Sequence, residues 1–104
     1  MDDQKFVAVA KADEIAPDSA KPIQVAGVSI LLCNSEDRIF AIASQCSHAE
    51  EDLTCGRIKW GWIACPAHGS RFNLETGAPM NPPATGPIRT FPVRIVGGVV
   101  EVAA

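Results

Sequence analysis

Residues 46–68 read CSHAEEDLTCGRIKWGWIACPAH, which opens with the tripeptide CSH and closes with the tetrapeptide CPAH. Sixteen residues separate these two cysteine–histidine pairs, and the pairs contain both histidines of the chain. Thiolate and imidazole are ligands of soft or borderline transition metals, whereas Mg²⁺ and Ca²⁺ prefer oxygen ligands. The stretch therefore predicts a metal centre. Its ligands would be Cys46, His48, Cys65 and His68.

The order of the ligands bears on which metal is bound. Zinc fingers usually pair cysteine with cysteine and histidine with histidine, whereas each half here supplies one of each. Mixed pairs suit two metal atoms, with both cysteines on one iron and both histidines on the other. A single zinc ion is the alternative. Two buried thiols with two unrelated surface histidines would leave the paired spacing unexplained.

The complete motif is C-x-H, sixteen residues, then C-x2-H, and it continues as Gly69-Ser70-Arg71-Phe72. This pattern resembles the Rieske iron–sulfur proteins. The resemblance implies one [2Fe–2S] cluster, with Cys46 and Cys65 on the inner iron and His48 and His68 on the outer iron, near the surface. The Ser70 hydroxyl is expected either to contact the cofactor by a hydrogen bond to a bridging sulfide or to be that of an ordinary loop serine bonded to backbone.

Three positions bear on the reduction potential. The high-potential members of the family carry an extra cysteine in each ligand loop, joined as a disulfide, and the equivalent positions here are Glu51 and Ala67. Those members also place a tyrosine where this chain has Phe72, and the chain contains no tyrosine. Because a hydrogen-bond donor is missing and an acidic residue is added, we expect a low-potential cluster. A hydrogen bond from Ser70 to sulfur would raise the potential part of the way.

Composition limits the classes of protein. With 104 residues, 47% hydrophobic and 20% charged, the chain is expected to be one globular domain. A net charge of −3 argues against nucleic-acid binding, which needs clustered Lys and Arg. The N-terminus shows no signal peptide and no segment is apolar enough to span a membrane, so we expect a soluble, cytoplasmic protein. We also expect a monomer. The two remaining cysteines, Cys33 and Cys55, are expected to be reduced thiols with the packing role of small hydrophobic residues.

Short β-rich runs separated by turn residues indicate an all-β fold, a Rieske-like β-sandwich or barrel. Predicted strands are 6–10, 22–26, 28–33, 38–44, 57–59, 62–64, 71–73, 93–96 and 99–102, with a brief turn at 12–16. The first four are expected to form one hairpin-linked sheet. Gly97-Gly98 is the clearest signal of a tight hairpin turn.

We interpret residues 1–44 and 86–104 as a base and residues 45–85 as an inserted, small β-rich cluster-binding subdomain. Strands from before and after the insert would pair to close the base. The Pro-rich segment 81–87 is expected to be a third loop that covers the cluster. Trp60 and Trp62 are expected mainly to pack against the inner side of the cluster. The acidic run 50–52 is either a solvated loop or a docking patch for a basic partner.

What the chain lacks restricts its function. A Rieske oxygenase also needs a mononuclear iron site with two histidines, and both histidines here are already used. A strand followed by G-x-G-x-x-G is absent as well, so we expect an electron carrier and not an enzyme. The chain resembles the Rieske-type ferredoxins of aromatic-ring dioxygenase systems. These take single electrons from an NAD(P)H-dependent ferredoxin reductase and pass them to a terminal oxygenase.

Two alternatives to this function remain at this point. A small Rieske subunit of a larger enzyme, similar to the small subunit of assimilatory nitrite reductase, would carry the same cluster in a permanent complex. A zinc-stabilised binding module would have no redox role.

Overall fold

The computed structural model describes residues 5–45, 52–54, 56–66, 69–82 and 86–103. Regular structure in these ranges consists of ten strands and one short 3₁₀ turn at Ala12–Glu14. The strands are β1 (Phe6–Lys11), β2 (Ser19–Val25), β3 (Val28–Ser35), β4 (Arg38–Ala43), β5 (Arg57–Lys59), β6 (Trp62–Ala64), β7 (Arg71–Asn73), β8 (Thr90–Phe91), β9 (Val93–Val96) and β10 (Val99–Ala103). The all-β prediction is confirmed. Nowhere in the described ranges is there a helix long and apolar enough to cross a membrane.

The strands form three antiparallel sheets. The central sheet has the order β2-β3-β4-β8, an outer sheet has the order β1-β10-β9, and a third sheet has the order β5-β6-β7. Strands that precede the metal-motif segment pair with strands that follow it, β1 with β10 and β4 with β8. The predicted pairing of strands across this segment is confirmed, whereas the division into a base and a subdomain stays a prediction.

Strand β3 explains how the sheets pack together. Its residues Ile30 to Cys33 are all fully buried, so the middle of the strand has no solvent-facing side, whereas Ser29 near its start is exposed. Ile30 and Leu32 contribute to one apolar cluster with Val100 and Val102 of the outer sheet. Leu31 and Cys33 contribute to a second cluster with residues of the third sheet. Because neighbouring side chains in a strand point to opposite faces, the central sheet lies between two cores.

Most of the predicted strands are confirmed, and four of them (57–59, 62–64, 71–73 and 93–96) have the predicted bounds. The prediction of one hairpin-linked sheet is wrong for β1, which pairs with β10 and not with β2. Strand β8 was not predicted, since two residues are too few for a periodic signal. Pro22 lies in β2, an edge strand, where its missing N–H does not interrupt a ladder on both sides.

One buried side chain ties the third sheet to the central one. The Ser35 hydroxyl, at the end of β3, accepts a hydrogen bond of 2.8 Å from the Gly61 N–H in the turn between β5 and β6. Ser35 has no exposed surface. The far end of the β5–β6 hairpin is therefore held against the base.

Candidate metal centre

Two of the five predicted site residues, Cys65 and Ser70, lie in the described ranges. Cys46, His48 and His68 lie outside them, as do Glu51, Ala67 and Cys55. The geometry that follows is therefore that of the chain on either side of the two cysteine–histidine segments.

Cys65 follows directly on the last residue of β6 and is 2% exposed. It belongs to the apolar cluster that also contains Leu53, Ile63 and Phe72. These neighbours exclude water from one side of the thiol. A cysteine at the end of a strand, with its side chain at the apolar core, is suited to bind a cofactor that must be shielded from water on one side.

Backbone hydrogen bonds join the two ends of the second cysteine–histidine segment. The Cys65 N–H donates to the Ser70 carbonyl at 2.7 Å, and the Gly69 N–H donates to the Cys65 carbonyl at 2.9 Å. Gly69 has φ +72, a left-handed conformation that residues with a Cβ rarely adopt. Ser70 is fully buried directly beside this closure.

The first segment is closed in a similar way. Gln45 and Asp52, which bracket residues 46–51, pair as an antiparallel bridge, and the Leu53 N–H donates to the Ser44 carbonyl at 2.7 Å. The exposed Asp52 carboxylate accepts hydrogen bonds from the hydroxyl and the backbone N–H of Thr54. These bonds lower the pKa of Asp52, so the carboxylate stays charged at neutral pH. Whether the acidic run docks a partner stays a prediction.

The two segments leave the same part of the core. Leu53, which follows the first, shares an apolar cluster with Cys65, which begins the second. Gly56 fits closely between them, because a Cβ there would come within 2.6 Å of the Ala64 carbonyl and 2.9 Å of the Leu53 carbonyl. Sequence reasoning did not single out Gly56. An unexplained glycine just before a strand was the only signal for such a close approach.

Asn81 is a second residue that sequence reasoning missed. Its side chain contacts both Gly69 and Arg71, and so joins the start of the Pro-rich segment to the end of the second ligand segment. The expectation that the Pro-rich loop covers the cluster stays a prediction, because residues 83–85 lie outside the described ranges. Asparagine next to prolines is typical of turns, and this was the only hint in the sequence.

The packing role predicted for Trp60 is wrong. Its side chain is 71% exposed at the tip of the β5–β6 hairpin, and its backbone has φ +46. Trp62 is half-buried, with the Arg71 guanidinium carbon 5.2 Å from its ring centroid. It alternates along β6 with the buried Ile63, so it points away from the core that holds Cys65.

Cys33 confirms its predicted role as a reduced, buried thiol. It lies in β3 with no exposed surface, and burial raises its pKa to about 12. The thiol is therefore protonated at neutral pH and is a poor metal ligand. Cys55 lies outside the described ranges.

The described residues fit an iron–sulfur cluster. Cys65 is buried, described residues next to both cysteine–histidine segments share one apolar cluster, and Gly56 leaves no room for a Cβ. The donor set in the sequence is two thiols and two imidazoles, as a Rieske centre requires.

Comparison with known proteins agrees with this reading of the site. Residues 5–92 match the family model of the Rieske [2Fe-2S] domain. The anthranilate 1,2-dioxygenase ferredoxin subunit of Burkholderia cepacia is 42% identical over 66 residues, which are 64% of this chain and 61% of that protein, so the match spans less than two thirds of either.

Two solved structures match over nearly the whole chain. The ferredoxin of carbazole 1,9a-dioxygenase from Nocardioides aromaticivorans IC177 is 34% identical, with a TM-score of 0.90 over 95% of this chain and 97% of that one. A chain of the complex of reduced oxygenase and oxidized ferredoxin in carbazole 1,9a-dioxygenase is 29% identical, with a TM-score of 0.89 over 97% of this chain and 94% of that one. The iron–sulfur interpretation is confirmed over the zinc alternative. The chain belongs to the Rieske [2Fe–2S] domain family, and it is an electron carrier of the ferredoxin type that holds one Rieske-type cluster.

Proposed function

We propose that this chain carries single electrons from an NAD(P)H-dependent ferredoxin reductase to a terminal ring-hydroxylating oxygenase, as a soluble cytoplasmic monomer. The observation that carries the proposal is the match to a dioxygenase ferredoxin over 95% of this chain, at 34% identity and a TM-score of 0.90. The related complex of an oxygenase with a ferredoxin supports the oxygenase as the acceptor. The reductase is inferred from the chain's lack of a nucleotide-binding motif of its own.

Within this proposal, Cys46 and Cys65 hold the inner iron and His48 and His68 hold the outer iron. When bound, a [2Fe–2S] cluster takes up and releases one electron without bond rearrangement in a substrate. The chain's own contribution is to fix the ligands and exclude water. These roles are supported by the burial of Cys65 and by the backbone pairing that joins the ends of each cysteine–histidine segment.

The cluster is proposed to have a low reduction potential. Phe72 is fully buried in the same apolar cluster as Cys65, and its ring has no hydroxyl to donate to sulfur. An uncompensated negative charge on the reduced cluster is less stable in such surroundings, which lowers the potential. Ser70, which is buried beside Cys65, is proposed to offset part of this loss by a hydrogen bond to sulfur.

The division into a base (1–44 and 86–104) and a cluster-binding subdomain (45–85) is also proposed. It is supported by the separate sheet β5-β6-β7 and by the pairing of β1 with β10 across the insert. The shared apolar cluster means that the two parts are packed together and not joined by a flexible linker.

The ligand set is tested with anaerobically purified protein. We expect an absorption spectrum and, after reduction, an EPR signal typical of a [2Fe–2S] cluster with two histidine ligands. Both should be lost in His48→Ala and His68→Ala and kept in Cys33→Ala, a control that removes a buried thiol of the same core. If His48→Ala and His68→Ala keep the wild-type spectrum, the proposed ligand set is wrong.

The carrier role is tested by reconstitution and by native size. With purified reductase and oxygenase, electron flow from NAD(P)H to the oxygenase should depend on this protein and saturate with its concentration. A free carrier elutes as a monomer from native extract. Permanent co-elution with a large reductase would favour the alternative of a small Rieske subunit.

A further inference from the structure

The side chain of Asn81 completes the edge of β7 where backbone pairing stops. The Met80 N–H donates to the Arg71 carbonyl at 2.7 Å, and Pro79 forms an isolated bridge with Phe72. One residue further on, the Asn81 Oδ1 accepts from the Arg71 N–H at 2.7 Å, and its Nδ2 donates to the Gly69 carbonyl at 3.3 Å. The side-chain amide thus takes the place of a peptide group.

The orientation of this amide follows from its partners. A backbone N–H can only donate, so the atom that faces the Arg71 N–H must be the oxygen of Asn81. The amino group then faces two carbonyls, those of Gly69 and Pro82. Both ends of the side chain are satisfied in this arrangement, and a flipped amide would place like groups against each other.

Gly69 is the residue whose direction Asn81 fixes. It follows His68 in the chain, its φ is +72, and the space where a Cβ would lie is empty to 4 Å. Gly69 has no side chain that could restrain the direction of its carbonyl. Hydrogen bonds do: its N–H is bound to the Cys65 carbonyl and its C=O to Asn81. A glycine held at only one of these groups is free to rotate its peptide.

We propose that Asn81 is a positioning residue for the cluster: by holding the Gly69 carbonyl, it fixes the end of the Cys65–His68 segment and hence the direction of the His68 imidazole. This inference rests on the proposed function, in which His68 is a ligand. It gives the Pro-rich segment a second role besides the predicted one of covering the cluster. The segment supplies one amide that sets ligand geometry from outside both ligand loops.

Two variants separate the two ends of the amide. Asn81→Ala loses every side-chain hydrogen bond. Asn81→Asp keeps an oxygen for the Arg71 N–H but places a second oxygen against the Gly69 carbonyl, where the two repel each other. If Asn81 only stabilises the fold, Asn81→Asp is the milder change. If it positions Gly69, Asn81→Asp is at least as harmful to the cluster as Asn81→Ala.

Asn73→Ala is the matched control. The Asn73 Oδ1 accepts from the Glu75 N–H at 2.8 Å and from the Thr76 N–H at 3.1 Å, so a similar number of backbone bonds is lost in the same sheet. These bonds lie at the other end of β7, in the turn that leads away from the ligand segment.

The measurements use the cluster-loaded protein. They are the EPR g-values of the reduced cluster, which respond to ligand geometry, and the rate at which visible absorption bleaches under an iron chelator. For both Asn81 variants we expect shifted g-values and bleaching about fivefold faster, the factor that corresponds to about one net hydrogen bond. Asn73→Ala should keep the wild-type g-values.

The proposal is overturned if both Asn81 variants keep the wild-type g-values, or if Asn81→Asp bleaches at the wild-type rate. Failure of the proposed function is a different result, because in that case the wild-type protein itself would not show a cluster with two histidine ligands.

Discussion

Replacing Ser35 with alanine should loosen the attachment of the third sheet (β5-β6-β7) to the central sheet (β2-β3-β4-β8). The Ser35 hydroxyl is fully buried and accepts the Gly61 N–H at 2.8 Å, across 26 positions of sequence. Alanine leaves this N–H without its partner. An unsatisfied buried donor costs about 1–3 kcal/mol, and Gly61 is only half-buried, so we expect a loss of about 1–2 kcal/mol in the free energy of unfolding.

The assay is thermal unfolding of the cluster-loaded protein at one scan rate, with amide exchange at Gly61 as a local readout. In a domain of this size, the expected loss lowers Tm by about 5–15 °C. Exchange of the Gly61 amide should be at least about tenfold faster, because a loss near the middle of the expected range corresponds to a factor of that order.

Ser19→Ala is the control for this prediction. The Ser19 hydroxyl also makes a short bond, donating to the Ala16 carbonyl at 2.6 Å, but at an exposed position where water can replace it. Its loss should change stability by no more than about 0.5 kcal/mol. If Ser35→Ala is no more destabilising than Ser19→Ala, or if Gly61 keeps its protection, then Ser35 does not join the two sheets.

Three further predictions follow from single residues. Burial raises the pKa of Cys33 from 9.0 to about 12, so the thiol ionises at lower pH in the unfolded chain than in the folded one, and the free energy of unfolding should fall as the pH rises above about 9. In urea unfolding measured from about pH 8 to about pH 10.5, this fall should be smaller in Cys33→Ala. Gly77→Ala should lower the free energy of unfolding by more than about 3 kcal/mol, because a Cβ would lie 2.1 Å from the Ile88 carbonyl oxygen. Gly97→Ala, where the Cβ would meet open space, should lower it by about 1–2 kcal/mol, and equal losses of stability in the two variants would refute the steric argument. Trp60→Ala should change stability by no more than about 0.5 kcal/mol, because its side chain is 71% exposed, and a Tm drop of 10 °C would show that Trp60 packs after all.

The parts of the fold that the sequence predicts are those with local signals. Gly97-Gly98 between two valine-rich runs predicts a hairpin, and β9 and β10 pair across it. Alternation and turn residues also locate the three short strands of the insert. The partner of β1 carried no local signal, since β10 lies some 90 residues away along the chain. Pairing at that distance is decided by the core that both strands cover.

At the site, the residues expected to bind the metal were easier to predict from the sequence than the residues that hold the loops in place. Cysteine and histidine at fixed spacing predict metal ligands directly. Gly56 and Asn81, which hold the loops, have no side-chain chemistry that distinguishes them from other glycines and asparagines in the sequence. Their roles depend on a carbonyl brought close by the fold. The error on Trp60 has the same origin: tryptophan is usually buried, and only the turn at Gly61 places this one outside.

Cys33 and Cys65 show how the fold assigns different chemistry to one residue type. Both thiols lie in the same apolar cluster, and neither has more than 2% of its surface exposed. Cys33 lies within β3, where backbone pairing on both sides keeps its side chain inside the core and burial raises its pKa to about 12. Cys65 follows the end of β6, where its carbonyl accepts a hydrogen bond from the Gly69 N–H, and His68 lies between these two residues in the sequence. A thiolate ligand needs both a cation to stabilise its charge and a loop to reach that cation, so the end of the strand can hold a metal and its middle cannot.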